Sequence, residues 1–175
     1  NLGRAVIRVG IILFITFTGI AALNFPYSHD RPLTHQEVDN AKKHFQKIYE
    51  SSMARAQAVE VARKPNYEEA AIIASVRAFA EKYNLLDKAV LDIGSGSGYL
   101  QDVVENYTGL DIASNAAPLY RKKFVVGSAT AMPFPDNSFD GAWSVWVLEH
   151  VPNPEQALAE SRRVLKNGGV IFLIP

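Results

Sequence analysis

The stretch Val90-Leu91-Asp92-Ile93-Gly94-Ser95-Gly96-Ser97-Gly98 combines an apolar run, an acid and three glycines that alternate with serines. It predicts a buried β-strand that ends in a tight turn, because glycine adopts positive φ and lets a ligand approach the backbone. Residues 99–105 continue with a helical pattern, and the start of a helix presents unpaired N–H groups and a positive dipole end. The stretch therefore predicts a strand, a ligand-binding loop and a short helix.

The flanking segments alternate between strand and helix patterns. Apolar runs predict strands at residues 89–93, 107–110, 124–126, 139–147 and 170–174. A helix is predicted over 154–165, with Asn153 as its N-cap and Asn167-Gly168-Gly169 as its stop. This alternation predicts an α/β fold with a doubly wound, mostly parallel sheet that helices cover on both faces.

Four regions are predicted along the chain. They are a membrane anchor or signal segment over 1–25, a linker over 26–34, a helical extension over 35–84 and the ligand-binding α/β domain over 85–175. The extension contains two predicted helices, over 37–63 and 67–83, and apolar spacing turns five residues of the second helix inward: Ala70, Ile73, Ala74, Val76 and Phe79. Because the chain stops directly after its last apolar run, we expect the α/β domain to lack its carboxy-terminal strands.

Composition narrows the functional classes. The 175 residues carry no net charge, so no basic field indicates nucleic-acid binding. The absence of cysteine excludes disulfides, thiolate catalysis and cysteine-based zinc sites. The four histidines are scattered along the chain, and we expect no metal site.

The amino-terminal segment is strongly apolar. Residues 9–25 carry no charge, and Arg4 and Arg8 precede them. A bilayer core needs about 17 to 25 apolar residues, so residues 5–25 suffice if Arg8 reaches the interface. We therefore expect a membrane-anchored protein with its α/β domain on the cytoplasmic side. The arginines favour the opposite orientation, which leaves orientation open, and a cleaved signal peptide is the alternative.

Asp111 lies 19 residues after Asp92, at the end of the second predicted strand. A carboxylate there can accept both ribose hydroxyls of a nucleoside, because ligands of such sheets bind beyond the carboxyl ends of the strands. The alternative is an aspartate that caps a turn. Tyr99 stands where a dinucleotide fingerprint G-x-G-x-x-G has its third glycine, which counts against NAD.

At this point a family resemblance emerges. Residues 90–98 resemble motif I of the class I S-adenosylmethionine-dependent methyltransferases, and residues 109–112 resemble their acidic second motif. Residues 127–140, 147–151 and 163–169 are similar to the type 11 subfamily. The resemblance covers residues 87–175. It implies a Rossmann-like methyltransferase fold, S-adenosyl-L-methionine as cofactor and methyl transfer as the reaction.

The resemblance also implies which residues contact the cofactor: Asp92, Gly94, Ser95, Gly96, Gly98, Asp111, Ile112, Ser128, Ala129, Trp146, Val147 and Tyr49. The glycine loop would wrap the amino-acid half, and Asp92 would hold its ammonium group. Asp111 would bind the ribose, and Tyr49 would close over the cofactor. Many relatives carry an aspartate where this chain has Ser128.

No catalytic base is identified by the sequence. Glu149 and His150 form an adjacent acid–base pair after a predicted strand, and histidine has a suitable pKa for proton transfer. The alternative is that His150 orients the loop while Glu149 is solvated. Three functions stay open: methyl transfer to a small-molecule or lipid-like acceptor, a non-catalytic methyltransferase-like binding module, and an NAD-dependent oxidoreductase. We favour the first.

Overall fold

A computed structural model describes residues 34–57 and 67–174, and its centre is a sheet of five parallel strands. The strands are β1 (Val90–Ile93), β2 (Tyr107–Asp111), β3 (Lys123–Val126), β4 (Phe139–Val145) and β5 (Leu165–Ile174). The helices are α1 (His35–Gln57), α2 (Tyr67–Lys82) and α3 (Pro154–Val164), with short 3-10 helices η1 (Ser114–Leu119) and η2 (Leu148–His150). The predicted α/β class and parallel sheet are confirmed.

The strand order β3-β2-β1-β4-β5 makes β1 the middle of the sheet. Ile93, the last residue of β1, pairs with Leu110 on one side and with Ser144 on the other. The chain runs outward through β2 and β3 and then crosses to β4 and β5. The carboxyl ends of β1 and β4 therefore form a topological switch point, where ligands of open α/β sheets bind.

Hydrophobic side chains cover both faces of the sheet, because successive residues of a strand point to opposite sides. Val90 faces α2, and its cluster contains Ile72, Val76, Ala80, Tyr107 and Trp143. Leu91 faces the other way, and its cluster contains Ile93, Leu110, Ala142, Val164 and Leu165. The double coverage explains why the strands read as nearly continuous apolar runs.

The helix predicted over residues 99–105 is wrong, because this segment folds as successive turns. The Gln101 N–H donates to the Gly98 carbonyl at 3.0 Å, three residues back rather than four. Other backbone groups of the segment bond to residues outside it. The Glu105 N–H donates to the Leu86 carbonyl, and the Lys122 side chain donates to the Val104 carbonyl. The β-branched Val103 and Val104 also disfavour helix.

The rotation of α2 about its axis differs in part from the prediction. Its buried row is Ile72, Val76 and Ala80, four residues apart, whereas Ala70 and Ala74 are exposed. Ile73 and Phe79 are partly buried against the same core. Alanine contributes too little apolar surface for its spacing to fix which side of a helix faces inward.

The boundaries of α3 and β5 also differ. The N-cap is confirmed, since Asn153 Oδ1 accepts the Gln156 N–H at 3.0 Å. The helix ends at Val164 and β5 begins at once, so the predicted glycine stop lies inside the strand. A register shift absorbs the extra residues: Phe139 pairs with Leu165, whereas Gly141 pairs with Val170.

The predicted membrane or signal segment over 1–25, its proposed anchor at 5–25 and nearly all of the linker over 26–34 lie outside the described residues. Across residues 34–57 and 67–174, no helix combines the length and apolarity that crossing a bilayer requires.

Candidate functional site

A cavity of about 130 Å³ opens at the carboxyl ends of β1, β2, β3 and β4. Seven of the predicted cofactor residues line it: Gly94, Asp111, Ile112, Ser128, Ala129, Trp146 and Val147. These residues lie at or just after the ends of four different strands, β1 to β4, and the parallel sheet brings them together near the switch point. Asp92, Ser95, Gly96 and Gly98 are not among its lining residues.

Asp111 combines burial with a cavity position. It is 7% exposed, and burial raises its pKa, although backbone N–H groups oppose the rise. Its Oδ1 accepts the Ala113 N–H and its Oδ2 accepts the Gly96 N–H, both at 2.9 Å. It therefore caps its own turn, as the alternative interpretation held. An ionised carboxylate has about four acceptor positions, so each oxygen keeps capacity for a ligand hydroxyl.

Most backbone N–H groups of the glycine loop, residues 94–98, donate hydrogen bonds within the protein. Gly94 and Ser95 donate to the Leu110 carbonyl, at 2.8 and 3.0 Å, and Gly98 donates to the Ser95 carbonyl at 2.9 Å. With the bond from Gly96 to Asp111, four of the five loop N–H groups are used. The helix expected after the loop, whose start would present unpaired N–H groups and a positive dipole end, is also absent, because turns follow the loop.

Asp92 does not line the cavity. It lies on the other side of the glycine loop, which we call the lower side. It is 3% exposed, and the Tyr107 hydroxyl donates to its Oδ2 at 2.7 Å. Burial raises the pKa of Asp92 to about 7, and the Tyr107 hydrogen bond only partly opposes this rise. A contact between Asp92 and a cofactor stays a prediction.

Ser95 and Gly96 are held from the same lower side by a residue that the sequence analysis missed. The Tyr120 hydroxyl is hydrogen-bonded to Ser95 Oγ at 2.7 Å and to the Gly96 carbonyl oxygen at 2.9 Å. Tyr120 follows η1, far from the loop in sequence, and its type and spacing gave no signal.

The loop after β4 forms the wall of the cavity that packs against Gly94. A Cβ added to Gly94 would overlap with the Val147 side chain, so only glycine fits at position 94 while Val147 packs against it. Trp146 has φ of +54° and is 45% exposed. A positive φ is unusual for a bulky side chain and stores strain, which is common at functional sites.

The mouth of the cavity is apolar and partly aromatic. Phe45 of α1 lines it with Val151 and Pro152, and the Phe45 and His150 rings meet edge to face at 5.9 Å. Asn115 ties α1 to η1, since its amide donates to the Gln46 carbonyl at 2.7 Å. Phe45 was missed, although its position one turn before Tyr49 was the available signal. The Tyr49 side chain lies outside the described part of the molecule.

The two candidate bases occupy different positions. His150 lines the cavity, whereas Glu149 does not. The His150 Nε2 lies 3.9 Å from Glu149 Oε1, and both side chains are exposed. Of the pair, His150 alone has the location that a base for a bound acceptor requires.

The segment after β3 supplies the remaining wall. The Ser128 hydroxyl accepts the Thr130 N–H at 3.2 Å and lies 2.8 Å from the Thr130 hydroxyl, so it closes a local turn. Arg163 holds the far end of this segment through the carbonyls of Met132 and Phe134. Ala129 and Ile112 add apolar surface to the cavity.

A family model for a methyltransferase domain matches residues 91–173. The chain is 35% identical over 106 residues to a sterol 4-C-methyltransferase of Caenorhabditis elegans, covering 51% of this chain and 32% of that protein. It is 33% identical over 107 residues to a ubiquinone biosynthesis O-methyltransferase of Dechloromonas aromatica, covering 51% and 45%. The chain thus spans less than half the length of either relative.

A solved structure shares the fold over a larger part of the chain. It is a candidate S-adenosyl-L-methionine-dependent methyltransferase from Methanococcus maripaludis, with a TM-score of 0.56 and 18% identity. The match covers 82% of this chain and 66% of that one. At this identity the likeness establishes the Rossmann-like architecture.

Proposed function

We propose that residues 91–173 act as a class I methyltransferase domain of type 11 with S-adenosylmethionine as cofactor, and that the chain methylates a small, lipid-like acceptor. In this proposal Gly94, Asp111 and Ile112, at the carboxyl ends of β1 and β2, would hold the cofactor. The acceptor enters from the apolar mouth beside α1.

The observation that carries the proposal is the position of the Asp111 carboxylate. It ends β2 inside the cavity, and its turn bonds leave acceptor capacity for two ribose hydroxyls. Leu110, Ile112 and Ala129 offer apolar contacts around it, as the adenine ring requires. The residues present therefore fit the nucleoside half of S-adenosylmethionine.

The bonding of the glycine loop favours a cationic ligand over a pyrophosphate. A pyrophosphate needs N–H donors and a helix N-terminus, as in dinucleotide-binding folds. Here four loop N–H groups are used and turns follow the loop. The buried carboxyl group of Asp111, which lines the cavity, suits a cationic ligand. This argument disfavours an NAD-dependent oxidoreductase.

When bound, S-adenosylmethionine supplies an electrophilic methyl group, which leaves sulfur as the acceptor's new bond to carbon forms. The chain contributes mainly alignment, since proximity supplies much of the rate in such displacements. Gly94 and Val147 would line the bound cofactor. His150, at the mouth, takes the proton that an oxygen or nitrogen acceptor loses.

The lipid-like acceptor is supported by the walls of the mouth. Phe45, Trp146, Val151 and Pro152 present apolar or aromatic surface there. The names of the two relatives describe one enzyme that acts on a sterol and one in ubiquinone biosynthesis. An anchor at residues 5–25 stays a prediction from the sequence, and it would bring the mouth close to acceptors dissolved in a membrane.

Calorimetric titration of the full chain with S-adenosylmethionine, S-adenosylhomocysteine and NAD tests the cofactor. We expect both adenosyl compounds to bind and NAD to give no heat. Ala129→Leu should fill the cavity and abolish binding, whereas Ala71→Leu, the same change on the exposed face of α2, should not. Binding of NAD alone would contradict the proposal.

The acceptor is tested with a tritiated methyl donor and fractionated extracts. We expect label in the fraction soluble in organic solvent, and its appearance should depend on His150 when the acceptor atom is oxygen or nitrogen. Tight cofactor binding without transfer to any fraction would support the binding-module alternative.

A further inference from the structure

The Tyr120 ring occupies a slot beneath the glycine loop that two glycines from different elements leave open. A Cβ added to Gly98 would lie 2.8 Å from Tyr120 Cε1, and a Cβ added to Gly109 would lie 2.7 Å from the same atom. Real Cβ atoms do not approach so closely, so the ring requires glycine at both positions. The contact with the Tyr120 ring thus explains why position 98, the third of the loop's glycine positions, holds glycine.

Aromatic neighbours fix the plane of the ring. The Phe124 ring lies 4.4 Å from it and the Tyr107 ring 6.4 Å, centroid to centroid. The main chain at Tyr120 is also fixed, because its N–H donates to the Ala117 carbonyl at 3.1 Å. A phenol held at both ends is a rigid support for whatever its hydroxyl contacts.

The hydroxyl contacts the two residues at the turn of the loop. It is bonded to Ser95 Oγ and to the Gly96 carbonyl, while the Gly96 N–H donates to Asp111. Gly96 is therefore held from two sides, by Tyr120 below and by the cavity carboxylate above. Ser95 is buried, so its hydroxyl cannot exchange Tyr120 for water without cost.

We propose that Tyr120 is a positioning residue for cofactor binding, which holds the glycine loop and, through Gly96, the Asp111 carboxylate in the geometry that the ligand needs. Tyr120 does not line the cavity, so it acts without touching the ligand. This inference rests on the cofactor site proposed above.

Tyr120→Phe in the full chain removes the hydroxyl and keeps the ring in its slot. We expect the dissociation constant for S-adenosylmethionine to rise roughly tenfold, the equivalent of one or two net hydrogen bonds. In the ligand-free protein, amide hydrogen exchange should accelerate at residues 94–98 and stay unchanged in β4. Tyr83→Phe, which alters a half-exposed tyrosine just after α2, is the matched control and should change neither.

A double-mutant cycle with Ser95→Ala separates positioning from general destabilisation. Because Tyr120 acts through Ser95 and Gly96, Ser95→Ala should cost less affinity when it is combined with Tyr120→Phe than when it is made in the parent chain. Additive losses, or an affinity within twofold of the parent in Tyr120→Phe, would overturn the proposal. If the parent chain binds no S-adenosylmethionine, the cofactor assignment fails, and the exchange rates alone decide whether Tyr120 orders the loop.

Discussion

The two sides of the glycine loop differ sharply in chemistry. Below the loop lie Asp92, Tyr107 and Tyr120, whose polar atoms bond to one another or to the loop residue Ser95. Above it, the cavity wall is mostly apolar, and Asp111 supplies its carboxylate. The lower side is closed and the upper side is open at the mouth beside α1.

The lower side therefore determines the conformation of the loop, and the upper side determines which ligand the loop contacts. The lower side holds the loop before any ligand arrives, since its hydrogen bonds are made within the protein. The upper side is left for ligand contacts, which require less rearrangement when the site is formed in advance. Substitutions below should therefore change stability or loop order, and affinity only through the loop, whereas substitutions above should change ligand contacts directly.

The largest expected effect comes from Asp92, below the loop. Its pKa of about 7 in the folded chain, against 3.8 when unfolded, means that the folded state holds the proton more tightly. The resulting stability is fully present below about pH 4 and is lost as pH rises through 7, by up to about 4 kcal/mol.

Asp92→Asn should remove this slope, so the unfolding free energies of variant and parent should diverge between pH 4 and 8 in urea denaturation. Asp102→Asn, at an exposed carboxylate, is the control and should keep the parent's slope. Parallel pH profiles for parent and Asp92→Asn would show that the lower side is not the closed environment described.

The second effect concerns Asp111, above the loop. Asp111→Ala removes the carboxylate that we propose accepts two ribose hydroxyls, and we expect S-adenosylmethionine affinity to fall about 100-fold while the chain stays folded. Calorimetry measures the affinity and circular dichroism the fold. Asp87→Ala, at an exposed site, should bind as the parent does. An affinity within threefold of the parent would remove Asp111 from the site.

The third effect tests the contact that joins the loop to the wall after β4. Gly94→Ala places a methyl group against Val147 at a φ of +69°, and we expect a loss of about 2 kcal/mol of unfolding free energy. Gly168→Ala is the control, because its φ is +83° but its Cβ would meet no atom within 4 Å. Gly168→Ala should therefore lose only the unfolding free energy that comes from backbone strain.

Val147→Ala combined with Gly94→Ala should recover the steric part of that loss and leave the part due to φ. If Gly94→Ala and Gly168→Ala destabilise the chain equally, then Val147 does not press against the loop. Thermal and chemical denaturation give the comparison directly.

The smallest effect is expected at Trp146. Trp146→Gly relieves a positive φ and removes an exposed ring, so the unfolding free energy should change by less than about 1 kcal/mol. Cofactor affinity should fall about threefold, because one apolar contact of the upper side is lost. Asn137→Gly, at φ of +55°, should leave affinity unchanged. A large loss of stability would place Trp146 in the core rather than at the mouth.

The strands and the ligand edge could be predicted from the sequence, and the supports of the loop could not. Val90 to Ile93 and Tyr107 to Asp111 are short, largely apolar runs with an acid at or near their ends, so pattern and position agree there. Residues 99–105 have helical spacing, but their partners are Leu86 and Lys122, and such partners come from the tertiary structure.

Tyr120 and Phe45 show the same limit at the site. Each residue reads as an ordinary aromatic at its place in the chain, and its role comes from which glycine or histidine the fold brings beside it. Asp111 carried a stronger signal, because a fixed spacing from a glycine loop reflects the geometry of one β-turn-β unit.

The central position of β1 has a consequence for the order in which the chain folds. Its partner β2 begins 14 residues after β1 ends, and β3 follows soon after, whereas its other partner β4 begins at Phe139. Closing the longer connection costs more chain entropy, so the half-sheet β1-β2-β3 should assemble first. During synthesis that half-sheet would expose one flank of β1 until β4 emerges from the ribosome, which makes this interval the time of greatest aggregation risk.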